Sequence, residues 1–145
     1  MTDALHNAVV ERLLADELLL PMLGRFDDRP AIFGFQEAPL LQGAWSGWPW
    51  VLVRMPIAGE AIEDKTHPAH EAIVDVQVWA ENAGQPSRVG EPAQYLYESL
   101  WDSQSAPLDV PGWHVIYQNV SPPTDISSGE LLGYAVSLTI GIHRE

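Results

Sequence analysis

Apolar residues recur at the spacing of one helical face in two stretches of the chain. The first stretch follows Thr2 or Asp3, either of which can cap a helix, and ends near Leu14. The second runs from about Val89 to Trp101 and contains Pro92, which a helix tolerates in its first turn. The pattern therefore predicts two amphipathic helices, with a shorter helical piece from Asp16 to about Leu23 between the first of them and the strands.

Alternation with a period of two predicts strands in most of the remaining chain. Between Ala72 and Ala80 every second residue is apolar, which gives one fully apolar face. From Leu132 to His143, large apolar residues alternate with small and polar ones, as expected of a sheet that helices cover on one side. Short strands are predicted at 31–35 and 50–54 and a third long strand at 113–118, with polar connections at 57–68 and 121–129.

The order of these elements predicts an α+β fold. We expect a two-layer sandwich, in which a mainly antiparallel sheet of four to five strands carries the helices on one face. The 145 residues fit a single domain that spans residues 1–145.

The charge balance narrows the possible functions. Twenty acidic residues against seven basic ones give a formal net charge of −13, which disfavours binding to nucleic-acid phosphates. The absence of cysteine excludes disulfides and thiolate metal sites. The apolar stretch Leu18–Leu23 is too short to span a membrane, and the acidic start lacks the basic region of a secretory signal. We therefore expect a protein that folds in the cytoplasm and does not bind membranes.

The densest group of possible metal ligands is Asp64, His67, His70 and Glu71. A helical zinc motif places two histidines on one helix face, whereas Pro68 separates these two and the segment leads into a strand. The spacing favours a solvated loop, and a small metal-dependent hydrolase stays as the enzymatic alternative. Neither a nucleophile elbow nor a phosphate-binding glycine loop occurs in the sequence. We therefore predict no catalytic residue, no resident metal and no cofactor.

Three of the six tryptophans, Trp45, Trp48 and Trp50, fall within six positions. Indole rings are frequent at the buried centre of protein interfaces, so the segment is a candidate docking surface. Alternatively, Trp50 and Trp48 complete the core beside the first strands.

Several segments resemble the tail terminator, or tail completion, family of long-tailed bacteriophages, which is typified by the lambda tail terminator. After an N-terminal helix, the resembling segments are Pro49–Val53, Asp64–Thr66, His70–Trp79, Ser87–Asp102 and Gly133–His143. Together they cover most of the chain, and they share strand ends and helix positions with the family rather than fixed catalytic residues. The stretch 34–48 is longer and richer in tryptophan than the family pattern.

The resemblance implies a structural role in a virion. Such proteins form a hexameric ring on the head-proximal end of the tail tube, stop its polymerisation and present a surface to the head-completion or neck proteins. They are assembled in the host cytoplasm, and DNA passes through the channel. A hexamer of this chain would carry six times its charge of −13, so an acidic lining would repel DNA phosphates and prevent specific binding.

Three segments are the candidate interfaces that follow from this resemblance, because long polar tips are frequent contact points of assembly proteins. They are the polar segment 59–70 with Glu60, Glu63, Asp64, Lys65 and His67, the loop 122–130 with Asp125, and the pair Trp45 and Trp48. A neck or head-completion adaptor ring and a host-derived binding module remain alternative functions, since α+β sandwiches carry many functions.

Overall fold

The computed structural model describes residues 2–26, 28–34, 45–46, 49–62, 69–81, 87–100, 107–129 and 131–145. Within these ranges lie two α-helices and ten strands, together with a 3-10 turn at Leu20–Met22. The helices are α1 (Thr2–Leu14) and α2 (Ser87–Leu100). The strands are β1 (Arg25–Phe26), β2 (Arg29–Pro30), β3 (Ile32–Gly34), β4 (Trp45–Ser46), β5 (Trp50–Val53), β6 (Ile57–Ile62), β7 (Ala69–Glu81), β8 (Trp113–Val120), β9 (Thr124–Asp125) and β10 (Leu131–Arg144).

Seven of these strands form the main sheet, in the order β3-β5-β7-β10-β8, with β6 added to β7 and β9 added to β10. All pairings are antiparallel except β3 with β5, and the strands β2-β1-β4 form a separate small sheet. The α+β class and the mainly antiparallel sheet are confirmed, but the predicted count of four to five strands was too low.

The two additional strands of the main sheet are β6 and β9, and both lie in segments predicted as polar connections. β7 begins at Ala69 and is therefore long enough to pair with β6 as well as with β5 along the same edge. β9 likewise pairs with β10 beyond the end of β8. Both segments are strands because their backbones form hydrogen bonds with a long neighbouring strand, and side-chain alternation did not reveal them.

The centre of the sheet is the antiparallel pair β7–β10, whose register continues without a shift from Glu81 opposite Leu131 to Ala69 opposite His143. Alternate residues of both strands are buried beneath the helices, as the sequence pattern predicted. They are Ala72, Val74, Val76 and Val78 in β7, and Val136, Leu138, Ile140 and Ile142 in β10.

Both helices pack on the same face of the sheet, which confirms the predicted arrangement. Leu5, Val9 and Leu13 of α1 belong to the same buried cluster as Leu96 and Leu100 of α2. Two hydrogen bonds hold α1 in place. The His6 Nε2 atom lies 3.0 Å from the carbonyl oxygen of Val53, and the Arg12 guanidinium donates to the carbonyl oxygen of Ser99.

A smaller apolar cluster lies on the other side of β5, where Ala31, Phe33 and Trp50 are buried and Leu52 and Trp79 pack against them. Trp50 is 3% exposed and stacks on Trp79 at 6.3 Å between ring centroids. Trp50 therefore belongs to the core, as one of the two interpretations of the tryptophan segment predicted.

Gln118 is a polar side chain within the core, with 2% of its surface exposed. Its side-chain oxygen accepts a hydrogen bond from the backbone N–H of Leu108, and its side-chain nitrogen donates to the carbonyl oxygen of Leu100 at 2.6 Å. One side chain on β8 thus provides hydrogen-bond partners for a carbonyl group at the C-terminal end of α2 and for an N–H group in the segment that leads into β8.

Replacing Gln118 with Leu keeps most of the volume but leaves the Leu108 N–H and the Leu100 carbonyl without this partner. Because each buried unsatisfied group costs about 1–3 kcal/mol, we expect the free energy of unfolding to fall by about 2–4 kcal/mol. Urea unfolding measures this change. The exposed neighbour Asn119 is the matched control, and Asn119→Leu should change stability by less than about 0.5 kcal/mol. Equal stability of the two variants would contradict the role of Gln118.

Candidate assembly surface

The face of the main sheet opposite the helices is the candidate assembly surface, and we call it the open face. Its residues follow from strand alternation and from the register between strands. They include Leu52 of β5, Ile57 of β6, Glu71, Ile73, Asp75, Gln77 and Trp79 of β7, Gly133, Ala135, Ser137, Thr139 and Gly141 of β10, and Tyr117 and Asn119 of β8. Trp50 of β5 lies on the same side, but there the smaller apolar cluster covers the sheet.

Two aromatic rings lie over glycines of β10 on the open face. Trp79 lies directly opposite Gly133, and Tyr117 lies opposite Gly141. A Cβ atom added to either glycine would collide with the ring above it. The alternation of large and small residues in β10 therefore has two causes, because one face of the strand fills the core and the other makes room for these rings.

Hydrogen bonds link the polar side chains of the open face along β7. The Trp79 indole N–H donates to Gln77 Oε1 at 3.0 Å, and Gln77 Nε2 donates to Asp75 Oδ2 at 2.7 Å. Farther along the strand, the Tyr117 hydroxyl donates to Glu71 Oε2 across Gly141. These hydrogen bonds therefore hold the polar groups of the face in fixed positions.

The hydrogen bond to Glu71 changes the acidity of Tyr117. This bond, together with partial burial and the negative charge of Glu71, raises the pKa of Tyr117 from 10.0 to about 12. The phenol therefore stays protonated and acts as a donor to the carboxylate throughout the physiological range of pH.

The Tyr117→Phe variant keeps the ring over Gly141 and removes the hydroxyl. Because the folded-state pKa of about 12 exceeds the unfolded value of 10.0, the stability from this bond is complete below pH 10 and is lost as the pH rises to about 12. We expect the free energy of unfolding of the wild-type protein to fall more steeply over this interval than that of Tyr117→Phe. Urea unfolding at a series of pH values measures both slopes.

Tyr134→Phe is the matched control, since Tyr134 is a half-buried tyrosine of β10. We expect this control to keep the steep fall in stability, because Tyr134→Phe leaves the hydrogen bond between Tyr117 and Glu71 in place. Parallel curves for Tyr117→Phe and the wild-type protein would contradict the effect of Glu71.

Three large apolar side chains are exposed on or beside the open face. Ile57 is 70% exposed and lies opposite Ile73, which is 40% exposed. Ile116 is 45% exposed and lies at a bulge, where the register of β8 against β10 shifts between Gly141 and Ile142. The sequence interpretation missed all three, although the position of Ile73 between the acidic residues Glu71 and Asp75 of the same row was a visible signal.

Of the predicted interface residues, Asp125 is described in full. It lies in β9 with an exposed side chain, in a loop that its own hydrogen bonds hold in place. Asp125 Oδ1 accepts the backbone N–H of Ser127 at 2.8 Å, and the Ser127 hydroxyl accepts the N–H of Gly133 at 3.0 Å. The hydrogen bonds from the side chain and backbone of Ser127 lower the pKa of the Asp125 carboxyl below 3.8. The loop therefore presents a fixed negative charge.

Replacing Ser127 with Ala removes the larger cause of this shift and leaves the backbone N–H in place. We expect the pKa of Asp125 to move part of the way back towards 3.8, because the carboxylate loses a donor that favours its charged form. A titration of the side-chain carboxyl carbon by NMR measures the shift. The Ser128→Ala variant serves as the control and should leave the pKa of Asp125 unchanged, and an equal response of the two variants would contradict this assignment.

The side chains of the remaining predicted interface residues lie outside the described part of the structure. Trp45 lies in β4 and Glu60 in β6, with their side chains outside the described atoms. Trp48, Glu63, Asp64, Lys65 and His67 lie outside the described residues. Their place in an interface stays a prediction.

Two members of the candidate metal set are described, and they do not converge. His70 and Glu71 are neighbours in β7, so their side chains leave opposite faces of the sheet. His70 packs edge-on against Trp113, and Glu71 accepts the hydrogen bond from Tyr117. Asp64 and His67 lie outside the described residues, and within those residues no three His, Asp or Glu side chains are grouped as metal ligands.

In the part of the chain that the structure describes, neither helix has the length and apolar character needed to cross a bilayer.

No protein-family model matches the chain, and no curated protein matches it. Among solved structures, the chain is similar to a chain of a structure described as the virion of a native gene transfer agent particle. The superposition has a TM-score of 0.73 and covers 96% of this chain and 94% of that chain, with 16% identical residues. The two chains share a fold. At 16% identity, the match shows the fold alone.

Proposed function

We propose that this chain is a structural virion protein of the tail terminator type. Six copies would form a ring on the head-proximal end of a tail tube, stop its polymerisation and present a joining surface to the neck. The observation that carries the proposal is the shared fold with a chain of a gene transfer agent virion, since the likeness covers almost the whole of both chains. The sequence resemblance to tail terminators adds the specific role.

The surface of the described residues suits assembly. On the open face, glycines let two aromatic rings approach the backbone of β10, and hydrogen bonds fix the polar groups. Exposed isoleucines on and beside it supply apolar area that a neighbouring protein can bury. The loop at Asp125 projects a charge in a defined position. These features provide recognition by shape, and none of them requires a reaction or a cofactor.

The net charge fits the passage of DNA through such a ring. A chain of charge −13 repels phosphates, so DNA would slide past the ring without specific binding. Arg25 and Arg29 lie in β1 and β2 of the small sheet, outside the main sheet. The proposal therefore expects the channel to be lined by acidic residues and these two arginines to lie away from it.

The decisive experiment mixes the purified protein with isolated tail tubes and, separately, with portal complexes, and examines both by negative-stain electron microscopy. A cap or ring at one end of the tube supports the tail terminator. Binding to portal complexes alone would replace this role with that of a neck adaptor, the alternative within the same structural class. Binding to neither would overturn the proposal.

The segment 63–65 is the first candidate contact with the tube. Replacing Glu63, Asp64 and Lys65 with Gly-Ser-Gly removes three charged groups from a predicted polar tip. We expect the thermal unfolding temperature to stay within a few degrees and the affinity for tubes to fall by about tenfold, equivalent to about 1.4 kcal/mol. Counting capped tubes over a protein concentration series measures this affinity.

A variant on the helix side of the molecule, Glu11→Ser, is the control for loss of charge, because Glu11 is an exposed residue of α1. We expect it to cap tubes as the wild-type protein does. Normal capping by the Gly-Ser-Gly variant would remove the segment 63–65 from the contact surface.

A further inference from the structure

In one half of the main sheet, β6 and β8 are the two opposite edge strands. In this half the strand order is β6-β7-β10-β8, and Ile57, Ile73, Thr139 and Asn119 form one continuous row across it. Among the described residues, no strand pairs with the outer edge of β6 or of β8. The half-sheet therefore offers backbone hydrogen-bonding groups on both sides.

The edge at β8 lacks charge and proline, although it carries a bulge at Ile116. Proteins protect exposed edge strands with charged residues, with proline, with bulges or by keeping the strand short. β8 is eight residues long, Trp113 to Val120, and contains no Asp, Glu, Lys, Arg or Pro, although 19% of the chain is charged. β6 is six residues long and carries a single charged residue, Glu60, and its register against β7 shifts between Ala58 and Ala61. Two chains of charge −13 repel each other least along such uncharged strips.

The orientation of the backbone groups on β8 follows from two hydrogen bonds. The N–H of Ser121 donates to the carbonyl oxygen of Ser137, and the N–H of Ser137 donates to the Ser121 hydroxyl, so residue 121, directly after β8, faces β10. Because inward-facing residues alternate along an antiparallel strand, Asn119 and Tyr117 also bond inward to β10. The N–H and carbonyl groups of Gln118 and Val120 therefore point to the outer edge.

The strand directions favour a second copy of this chain as the occupant. Each step from β6 to β7 to β10 to β8 is antiparallel, so β6 and β8 run in opposite directions. A rotation that places one copy beside the next in a ring therefore brings β6 of one copy antiparallel to β8 of the other. The contact joins two different edges, which is the kind that closes a ring.

The side chains at the two edges are compatible with this junction. Ile57 on β6 is 70% exposed and Ile116 on β8 is 45% exposed, so each edge offers one apolar side chain for burial. Their burial on contact is favourable in proportion to the apolar area removed from water.

We propose that β8 of one copy pairs antiparallel with β6 of the next copy, so that the sheet continues from subunit to subunit around the ring. This inference rests on the ring of the proposed function and names the surfaces that build it. Its occupant is a second copy of the same chain, and the tube or neck protein binds elsewhere.

The absence of cysteine allows a direct test by disulfide cross-linking. The variants Ile57→Cys and Asn119→Cys each place one thiol on the open-face side of one edge. We expect neither variant alone to form disulfide dimers, an equimolar mixture to form mixed dimers, and a chain with both changes to form a ladder of oligomers. Non-reducing electrophoresis after mild oxidation, with the protein free and bound to tubes, measures the products.

The matched control pairs Ile57→Cys with Leu18→Cys, because Leu18 is 65% exposed but lies beyond the end of α1. We expect no ladder from this pair. A ladder equal to that of the edge pair, or no mixed dimers from the edge pair in either state of the protein, would overturn the proposal.

A proline at position 120 supplies a second, independent measurement. The N–H of Val120 points outward, so Val120→Pro removes a donor from the edge without breaking a bond to β10. We expect Val120→Pro to fold as a monomer. Native mass spectrometry should show none of the oligomers that the wild-type protein forms. Unchanged oligomers would overturn the proposal.

The two proposals fail in different ways. Capping of tubes without the edge cross-links would reject this inference alone. Edge cross-links without binding to tubes or portal complexes would reject the proposed function alone.

Discussion

The unbroken antiparallel pairing of β7 with β10 is the constraint on which the other elements of the main sheet depend. β5 and β6 share one edge of this pair, and β8 and β9 share the other. Both helices bury their apolar faces against its residues. A slip of one residue between the two strands would turn the buried valines and isoleucines outward and bring the rings of the open face into the core.

The same pairing shapes the open face. Register places Gly133 under Trp79 and Gly141 under Tyr117, and it places Glu71 where the tyrosine hydroxyl can reach it. These contacts make a firm surface without a helix above it. In a protein that assembles with others, such a face is available for contact while the helix side keeps the subunit folded.

Charge and hydrogen bonding act at different places in this molecule. The acidic residues disfavour both nucleic-acid binding and random association of copies. The proposed association of copies therefore depends on strips where charge is absent, and β8 is such a strip. This division would let a chain of charge −13 form a ring. Salt screens the repulsion between exposed charges that lie more than about 8–10 Å apart. The backbone groups of an uncharged edge form their hydrogen bonds at direct contact.

The sequence by itself determined the helices, the five main strands and the buried faces of β7 and β10, because hydrophobic periodicity records burial directly. It did not reveal β6, since the segment from Ile57 to Ile62 lacks a clear alternation and becomes a strand through its pairing with β7. Of the candidate interface residues, the loop position of Asp125 was visible from turn-forming residues, whereas its partner Ser127 was not. The rings over Gly133 and Gly141, the Tyr117–Glu71 bond and the two free edges were decided by tertiary structure alone. They depend on register between strands that are distant in the chain, and no local pattern encodes that register.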